Sequence, residues 1–111
     1  MPYLAYPFAN QSSPSGLSLG DFHMLTLDYI QDPGHGWISA DRAMLARLDL
    51  LEHVSPYSYQ DNDLIWLEED CDGPRFVAAL SRAGIQYQII ETHTRGDAWI
   101  RSLPRFDPSR A

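Results

Sequence analysis

The stretch SYQDNDLIWLEEDCD, residues 58–72, concentrates acidic side chains around one cysteine and contains no basic residue. Its carboxylates and its thiol belong to Asp61, Asp63, Glu68, Glu69, Asp70, Asp72 and Cys71. Carboxylates at this density can hold a cation, transfer a proton in acid–base catalysis, or contact a basic partner. Each of these chemistries requires a different arrangement of the same oxygens, so the spacing of the residues discriminates between them.

A calcium-binding loop is one candidate, because Asp61, Asp63 and Asp72 occupy its first, third and twelfth places. The pattern fails at the sixth place, where the loop requires glycine for a sharp turn and this chain has Trp66. The fifth place is the apolar Ile65, and the twelfth lacks the bidentate glutamate. The sequence therefore does not predict an EF-hand, although looser cation binding is left open.

The local sequence does not favour catalysis by this stretch. A reactive thiol needs an electropositive setting, and the residues beside Cys71 are acidic. Glu68 and Glu69, as neighbours on a strand, point to opposite faces of the sheet and cannot act as a pair. We predict no catalytic residue, with one alternative left open: His35 or His93 would activate the thiol if the fold placed either beside it.

A second group of polar residues lies in loops on either side of the acidic stretch. The histidines at positions 23, 35, 53 and 93 lack paired ligand spacing, so we predict no metal and no cofactor. His35 lies between two glycines in PGHGW, where a turn of small residues permits close approach. Functional sites usually lie on loops. The alternative hypothesis is therefore a small enzyme or ligand-binding domain with a pocket formed by His35, Trp37, His93 and Arg101.

The composition limits the kinds of partner. The 111 residues include 15 Asp and Glu and 8 basic residues, all arginine, which gives a formal net charge of −7. Lys and Arg provide the affinity for a phosphate backbone, so the sequence predicts no direct nucleic-acid binding. No apolar run approaches the ~20 residues that span a bilayer, which predicts no membrane association. A single cysteine cannot form an internal disulfide, and we expect a cytoplasmic location.

The first half of the chain reads as a hairpin followed by a helix. Residues 22–30, FHMLTLDYI, alternate Leu25, Leu27 and Tyr29 against more polar neighbours, as a strand does. The glycines and proline of QDPGHG predict a turn, and WIS resumes extended structure. Ser39 is a suitable N-cap for a helix over ADRAMLARLDLL. The apolar face of that predicted helix is formed by Met44, Leu45, Leu48 and Leu51.

The second half repeats this order. YSYQ and LIWLEE read as two short strands joined by the turn DND. Asp72 is placed as the N-cap of the next helix, and Gly84 ends that helix. IQYQIIETH predicts a further strand, with Ile85, Tyr87 and Ile89 on one side. Trp99 and Ile100 are expected to add an edge strand.

These elements predict an α+β fold with a largely antiparallel sheet of about five strands and two helices on one face. The hairpin-helix unit occurs twice. We divide the chain into an extended N-terminal arm over residues 1–20, a single α+β domain over residues 21–106, and a tail over residues 107–111. The arm is rich in Pro, Ser and Gly and has no useful periodicity.

Aromatic residues accompany the acidic stretch. Tyr57 and Tyr59 share a strand face, and Trp66 on the partner strand lies near them. Tyr and Trp bury large areas at interfaces while carboxylates attract a basic partner, so the combination is typical of a protein-binding surface. The competing interpretation is that these aromatic residues form the core side of the sheet.

The segments DPGHGW, SPYSYQ, LEEDCD and IRSLPRF, in this order, resemble a family of small uncharacterised proteins of bacteriophages, plasmids and related mobile elements in Proteobacteria. The resemblance covers about residues 30 to 106 and excludes the N-terminal arm. The family has no established activity, so the resemblance implies no catalytic residues. What it implies is a small accessory protein made inside a bacterial host.

Together, the resemblance and the acidic stretch predict an inhibitor of host defence or nucleic-acid-binding machinery, of the anti-CRISPR or anti-restriction type. Its partner would be a basic host protein, for example a defence or replication component that normally binds phosphates. The predicted contacts are Asp61, Asp63, Glu68, Glu69, Asp70, Asp72, Tyr57, Tyr59 and Trp66. A homodimer formed through an edge strand is also left open.

Overall fold

The computed structural model describes residues 24–109 and has five strands and two α-helices in that range. The strands are β1 (Leu25–Gln31), β2 (Gly36–Asp41), β3 (Tyr59–Asp61), β4 (Leu64–Glu68) and β5 (Tyr87–His93). The helices are α1 (Arg42–Arg47) and α2 (Asp72–Arg82), with short 3₁₀ helices at Leu51–His53 and Trp99–Ser102. The predicted arm, residues 1–20, and the last two residues of the predicted tail lie outside the described range.

The strands form one sheet in the order β3-β4-β2-β1-β5. Every neighbouring pair is antiparallel except β1 and β5, which are parallel. The parallel pair arises because α2 carries the chain from β4 across the sheet to its far edge. The α+β class, the largely antiparallel sheet and the repeated hairpin-helix order are confirmed.

Both helices cover one face of the sheet and form the main core with it. Leu27, Ile38 and Leu67 contribute from the strands, and Leu45 and Phe76 from the helices. Leu45 and Phe76 are each 1% exposed. The helix predicted over residues 40–51 is shorter, because α1 ends at Arg47 and Leu51 begins a 3₁₀ helix. Met44, Leu48 and Leu51 nevertheless pack half-buried against the same core.

A second, smaller core lies on the opposite face, where the C-terminal segment crosses the sheet. Trp37, Tyr59 and Trp66 pack there with Ala98 and Ile100. The edge strand predicted at residues 99–100 is wrong, because this segment forms a 3₁₀ helix that points Ile100 into the aromatic cluster. Residues 104–106 pair with the outer edge of β3 instead.

Both predicted N-caps are also wrong. Ser39 lies inside β2, where its hydroxyl accepts a hydrogen bond from the Asp28 amide at 2.9 Å. Pairing with β4 keeps β2 extended to Asp41, so α1 begins at Arg42. The N-cap position of α2 is Cys71, and Asp72 is the first helical residue. Gly84 ends α2 as predicted, with a φ of 73°.

No helix in residues 24–109 is long and apolar enough to cross a membrane.

Candidate functional site

The turn between β1 and β2 is organised by Asp32, which is 4% exposed. Its Oδ1 accepts hydrogen bonds from the Gly34 and His35 amides, both at 2.9 Å. Its Oδ2 accepts from the Ala98 amide at 2.9 Å and so joins the turn to the C-terminal segment. The pattern QDPGHG predicts the turn but does not identify Asp32 as the residue that holds it, although Asp before Pro-Gly is the position from which a side chain caps a turn.

Arg101 is fixed by the same carboxylate. Its Nε donates to Asp32 Oδ2 at 2.6 Å and its Nη2 to Oδ1 at 3.0 Å, so the pair is bidentate. The guanidinium holds the pKa of Asp32 well below its usual range, and the carboxylate raises the pKa of Arg101. Arg101 also lies over the ring of Trp37, 5.1 Å from its centroid. The arginine head group is therefore held in one place.

A cavity of about 630 Å³, called here the groove, opens at the end of the sheet where β4 ends and β2 and β3 begin. His35, Trp37 and Arg101 line it together, although the first two belong to the β1-β2 turn and the start of β2 and Arg101 to the C-terminal segment. His93, the fourth residue of the predicted pocket, does not line the groove. It lies at the end of β5, where its ring hydrogen-bonds Glu91 at 2.7 Å. Three of the four residues named for the predicted pocket therefore lie together, and His93 lies apart from them.

Two further arginines that the sequence analysis did not single out line the groove. Arg75, in the first turn of α2, donates to the carbonyl of His53 at 3.1 Å. Arg105 donates to the carbonyl of Pro56 at 3.1 Å and lies over the ring of Tyr59, 5.1 Å from its centroid. Both arginines therefore hold the loop between α1 and β3 against the groove.

The acidic stretch is divided between the two ends of β4. Asp61 and Asp63 are exposed at the tip of the β3-β4 hairpin. Glu68, the last residue of the five-residue strand β4, lies at the other end with Glu69 and Asp70. At about 3.3 Å per residue the separation between the two ends is roughly 15 Å. These carboxylates do not form one continuous surface.

Glu68 caps the N-terminus of α2 from the end of β4. Its Oε1 accepts from the amides of Cys71 and Asp72 at 2.8 and 2.7 Å, and its Oε2 from the Asp70 amide at 2.8 Å. This is the role predicted for Asp72 from the sequence. The sequence signal was present, because glutamate accepts from helix N-terminal amides, but only a strand-to-helix corner brings Glu68 there.

Asp72 is buried beneath the groove, with 4% exposure. Its Oδ2 accepts from the Ser55 amide at 2.8 Å and from the hydroxyls of Ser55 and Ser58 at 2.7 and 2.6 Å. These bonds fix the loop before β3 to the first turn of α2. Asp72 is therefore part of the framework of the site, and its Oδ1 lies 3.9 Å from Arg75 Nη1.

Glu69 connects β1 to the groove. It accepts a hydrogen bond from the Tyr29 hydroxyl at 3.0 Å, and its other oxygen lies 3.6 Å from His35 Nδ1. Burial, followed by the hydrogen bond and charge of Glu69, raises the pKa of Tyr29 to about 12. Tyr29 is thus a neutral donor across the ordinary pH range.

The three aromatic residues predicted to contact a partner have different environments. Tyr59 and Trp66 are 8% and 4% exposed and belong to the second core, as the competing interpretation expected. Tyr57 is 69% exposed and lines the groove. Of the three, only Tyr57 presents a free aromatic surface.

Cys71 is exposed and lines the groove with His35 and His53. No hydrogen bond within residues 24–109 joins its thiol to either histidine. No group of three or more His, Cys, Asp or Glu side chains in the described part of the chain is arranged to hold a metal ion. No protein-family model, curated protein or solved structure matches the chain.

Proposed function

We propose that the protein binds a small ligand in the groove. The observation that carries the proposal is Arg101, held by the buried Asp32 over the face of Trp37 inside a cavity of about 630 Å³. Clefts of roughly 300–1,000 Å³ with a few fixed polar groups are typical of small-molecule sites. A polar group that is held in place before the ligand arrives loses little entropy on binding.

The groove favours binding over catalysis. A nucleophile needs a base within hydrogen-bond reach, and the Cys71 thiol has none in the described contacts. His35 is accompanied by Glu69, but its Nδ1 lies 3.6 Å from the carboxylate, beyond hydrogen-bond distance, and the side chain is exposed. The polar groups of the groove are fixed by hydrogen bonds within the protein, which suits a site that binds its ligand without transforming it.

Cys71 provides the test, because it is the single cysteine of the chain and lies in the groove. The rate at which a thiol reagent modifies Cys71 would be measured in the presence of each member of a fragment library. Ligands in the groove are expected to slow modification without slowing the reaction of free cysteine. If fragments bind the protein by NMR but none of them protects Cys71, the binding site lies elsewhere and the proposal is contradicted.

A matched pair of substitutions sharpens this test. His35→Trp fills part of the groove and is expected to abolish protection, since the His35 side chain is 57% exposed there. His93→Trp makes the same change at a 66% exposed side chain outside the groove and should keep protection. Equal loss in both variants would count against the groove as the site.

A second candidate function is the contact with a basic host protein predicted from the sequence. The observation that favours it is the hairpin tip, where Asp61, Asn62 and Asp63 are all exposed. Exposed carboxylates on a projecting turn can attract a basic partner and speed its association. The mobile-element context and the inhibition of host defence remain predictions under this candidate.

Its test is affinity capture from a bacterial lysate, with nuclease, across a salt series. A basic protein captured by the wild-type chain should be lost with Asp61→Asn/Asp63→Asn, because the attraction is electrostatic. Asp28→Asn/Glu52→Gln removes the same charge at exposed positions away from the tip and should retain the partner. Retention by the tip variant would exclude the tip as the contact.

A further inference from the structure

We propose that the ligand of the groove is a phosphate ester of mononucleotide size. Its phosphate would bind between the guanidinium groups of Arg75 and Arg105, and its planar ring would stack on Tyr57. This inference rests on the proposed function, because it names the ligand class of the same groove. Three features support it: the cluster of arginines in the groove, the contacts that the neighbouring carboxylates already make, and the exposed ring of Tyr57.

The arginines are concentrated in the groove against the overall charge of the chain. The formal net charge is −7, yet Arg75, Arg101 and Arg105, three of the eight arginines, line this one cavity. A guanidinium group has five N–H donors. In the described hydrogen bonds, Arg75 and Arg105 each use one of them, on the carbonyls of His53 and Pro56. Both side chains are thus anchored and keep donors for a ligand.

The carboxylates beside these arginines are already occupied. Glu68 accepts from three backbone amides. Asp72 Oδ2 accepts from Ser55 and Ser58, and Asp72 Oδ1 lies 3.9 Å from Arg75 Nη1. Both carboxylates lie at the N-terminus of the 11-residue helix α2, whose dipole offsets negative charge. Asp70 is exposed on the same rim. Arg75 and Arg105 therefore keep donors in the groove that no carboxylate fully uses, which fits a ligand rich in acceptor oxygens.

A phosphate monoester fits this donor set better than a carboxylate does. Its terminal oxygens can accept from two guanidinium forks at once, whereas a carboxylate is matched by a single bidentate fork. Arg101 is already paired in that bidentate way with Asp32. Arg75 and Arg105 are left as the two forks for the ligand.

Tyr57 supplies the surface for the planar part of the ligand. The ring faces of Trp37 and Tyr59 are covered by guanidinium groups 5.1 Å from their centroids. Tyr57 is 69% exposed and lines the same cavity. Stacking of a base on an exposed aromatic ring is favourable for every base, so the ring identity is left to the experiment.

The experiment is isothermal titration calorimetry of the full chain with AMP, GMP, CMP and UMP, with the four nucleosides, and with inorganic phosphate. At least one mononucleotide should bind saturably, and its nucleoside and inorganic phosphate should each bind about tenfold more weakly or worse. No binding of any mononucleotide at low-millimolar concentration would overturn the inference. So would inorganic phosphate or the nucleoside binding as tightly as the nucleotide.

Variants locate the site. Arg75→Gln/Arg105→Gln should weaken nucleotide binding by about tenfold or more, because two charged hydrogen-bond donors are lost. Arg47→Gln/Arg82→Gln removes equal charge from exposed positions outside the groove and should change nucleotide affinity little. Tyr57→Ala, at an exposed side chain, should weaken nucleotide binding several-fold and leave inorganic phosphate unchanged.

Each remaining outcome is decisive. If the glutamine variant unfolds, Arg75→Lys/Arg105→Lys takes its place, because lysine keeps the charge but lacks the planar set of guanidinium donors. Unchanged nucleotide affinity in the folded lysine variant would overturn the inference. Equal losses in the groove pair and the control pair would also overturn it. Fragments that protect Cys71 while no mononucleotide binds would leave the proposed function standing and refute only the phosphate-ester class.

Discussion

At the scale of single residues, Asp32 determines the geometry of the groove. One carboxylate, 4% exposed, accepts from two turn amides, from the Ala98 amide and from the Arg101 guanidinium. A buried charge is tolerated only when it is paired and hydrogen-bonded, and these donors together compensate for the burial of the Asp32 carboxylate. The same bonds place Arg101 over Trp37.

Asp32→Asn should therefore destabilise the protein by roughly 3 kcal/mol, since it leaves Arg101 without its counter-charge. Because the folded pKa of Asp32 is depressed, its contribution is fully present above the unfolded value of about 4 and is lost as pH falls below it. Urea unfolding across pH should show the wild-type and variant free energies converging on acidification. Asp28→Asn, at an exposed carboxylate, is the control, and a constant difference down to low pH would contradict the prediction.

Tyr29 provides a second prediction at this scale. NMR titration of the tyrosine ring carbons should show one group ionising near pH 12, because burial and the Glu69 carboxylate disfavour its phenolate. Since the folded pKa is raised, this group's contribution to stability is present below about pH 10 and is lost as pH rises toward 12. Glu69→Gln should lower this pKa, and Tyr29→Phe should remove the transition. An unchanged pKa in Glu69→Gln would show that Glu69 is not a cause.

At the scale of elements, a strand caps the helix that follows it. Glu68 ends β4 and binds the first free amides of α2, while Asp72 at the helix start is directed into the serines of the preceding loop. The two carboxylates connect β4, α2 and the loop before β3 into one corner. The groove opens at this corner, so the position of the helix start determines where Arg75 lies.

Glu68→Ala should cost about 1 kcal/mol of unfolding free energy, the usual cost of losing an N-cap, because three amides lose their acceptor. Hydrogen exchange at the amides of residues 70–72 should become faster. Asp70→Ala is the matched control, since it removes an exposed carboxylate in the same loop. If both variants exchange alike, Glu68 is not the cap.

At the scale of the whole molecule, the two faces of the sheet are covered by different means. The helices cover one face, and the segment around the second 3₁₀ helix covers part of the other with Ile100, which is fully buried. This segment also carries Arg101 and Arg105 to the groove. Formation of the groove is therefore coupled to packing of the C-terminal segment on the aromatic face.

Ile100→Ala should destabilise the protein by about 3 kcal/mol, because it leaves a cavity in the second core. It should also lower the affinity of the groove for its ligand, because the segment that carries Arg101 and Arg105 becomes less firmly packed. Leu103→Ala, at a half-buried position on the same core, should cost less. Denaturant unfolding and ligand titration of both variants test this, and a larger effect at Leu103 would contradict it.

The sequence by itself determined the elements and the class of the fold. Alternating and helical periodicity, together with turn residues such as those of DPGHG and DND, act over a few neighbouring positions, so strands and helices could be predicted from them. Helix starts were predicted less well, because strand pairing of β2 and the reach of Glu68 override local capping preferences. Three members of the predicted pocket, His35, Trp37 and Arg101, were found together.

The tertiary structure alone decided how the charges are used. Asp32 and Arg101 pair across 69 positions, and no local pattern encodes a contact at that separation. The same holds for the arginines of the groove and for the exclusion of His93, which depend on the order of strands in the sheet. The acidic stretch is continuous in the sequence, but β4 separates its two ends in the structure. Glu68 caps α2, Asp72 binds the serines of the preceding loop, and the others remain exposed or partly exposed according to their positions in three dimensions.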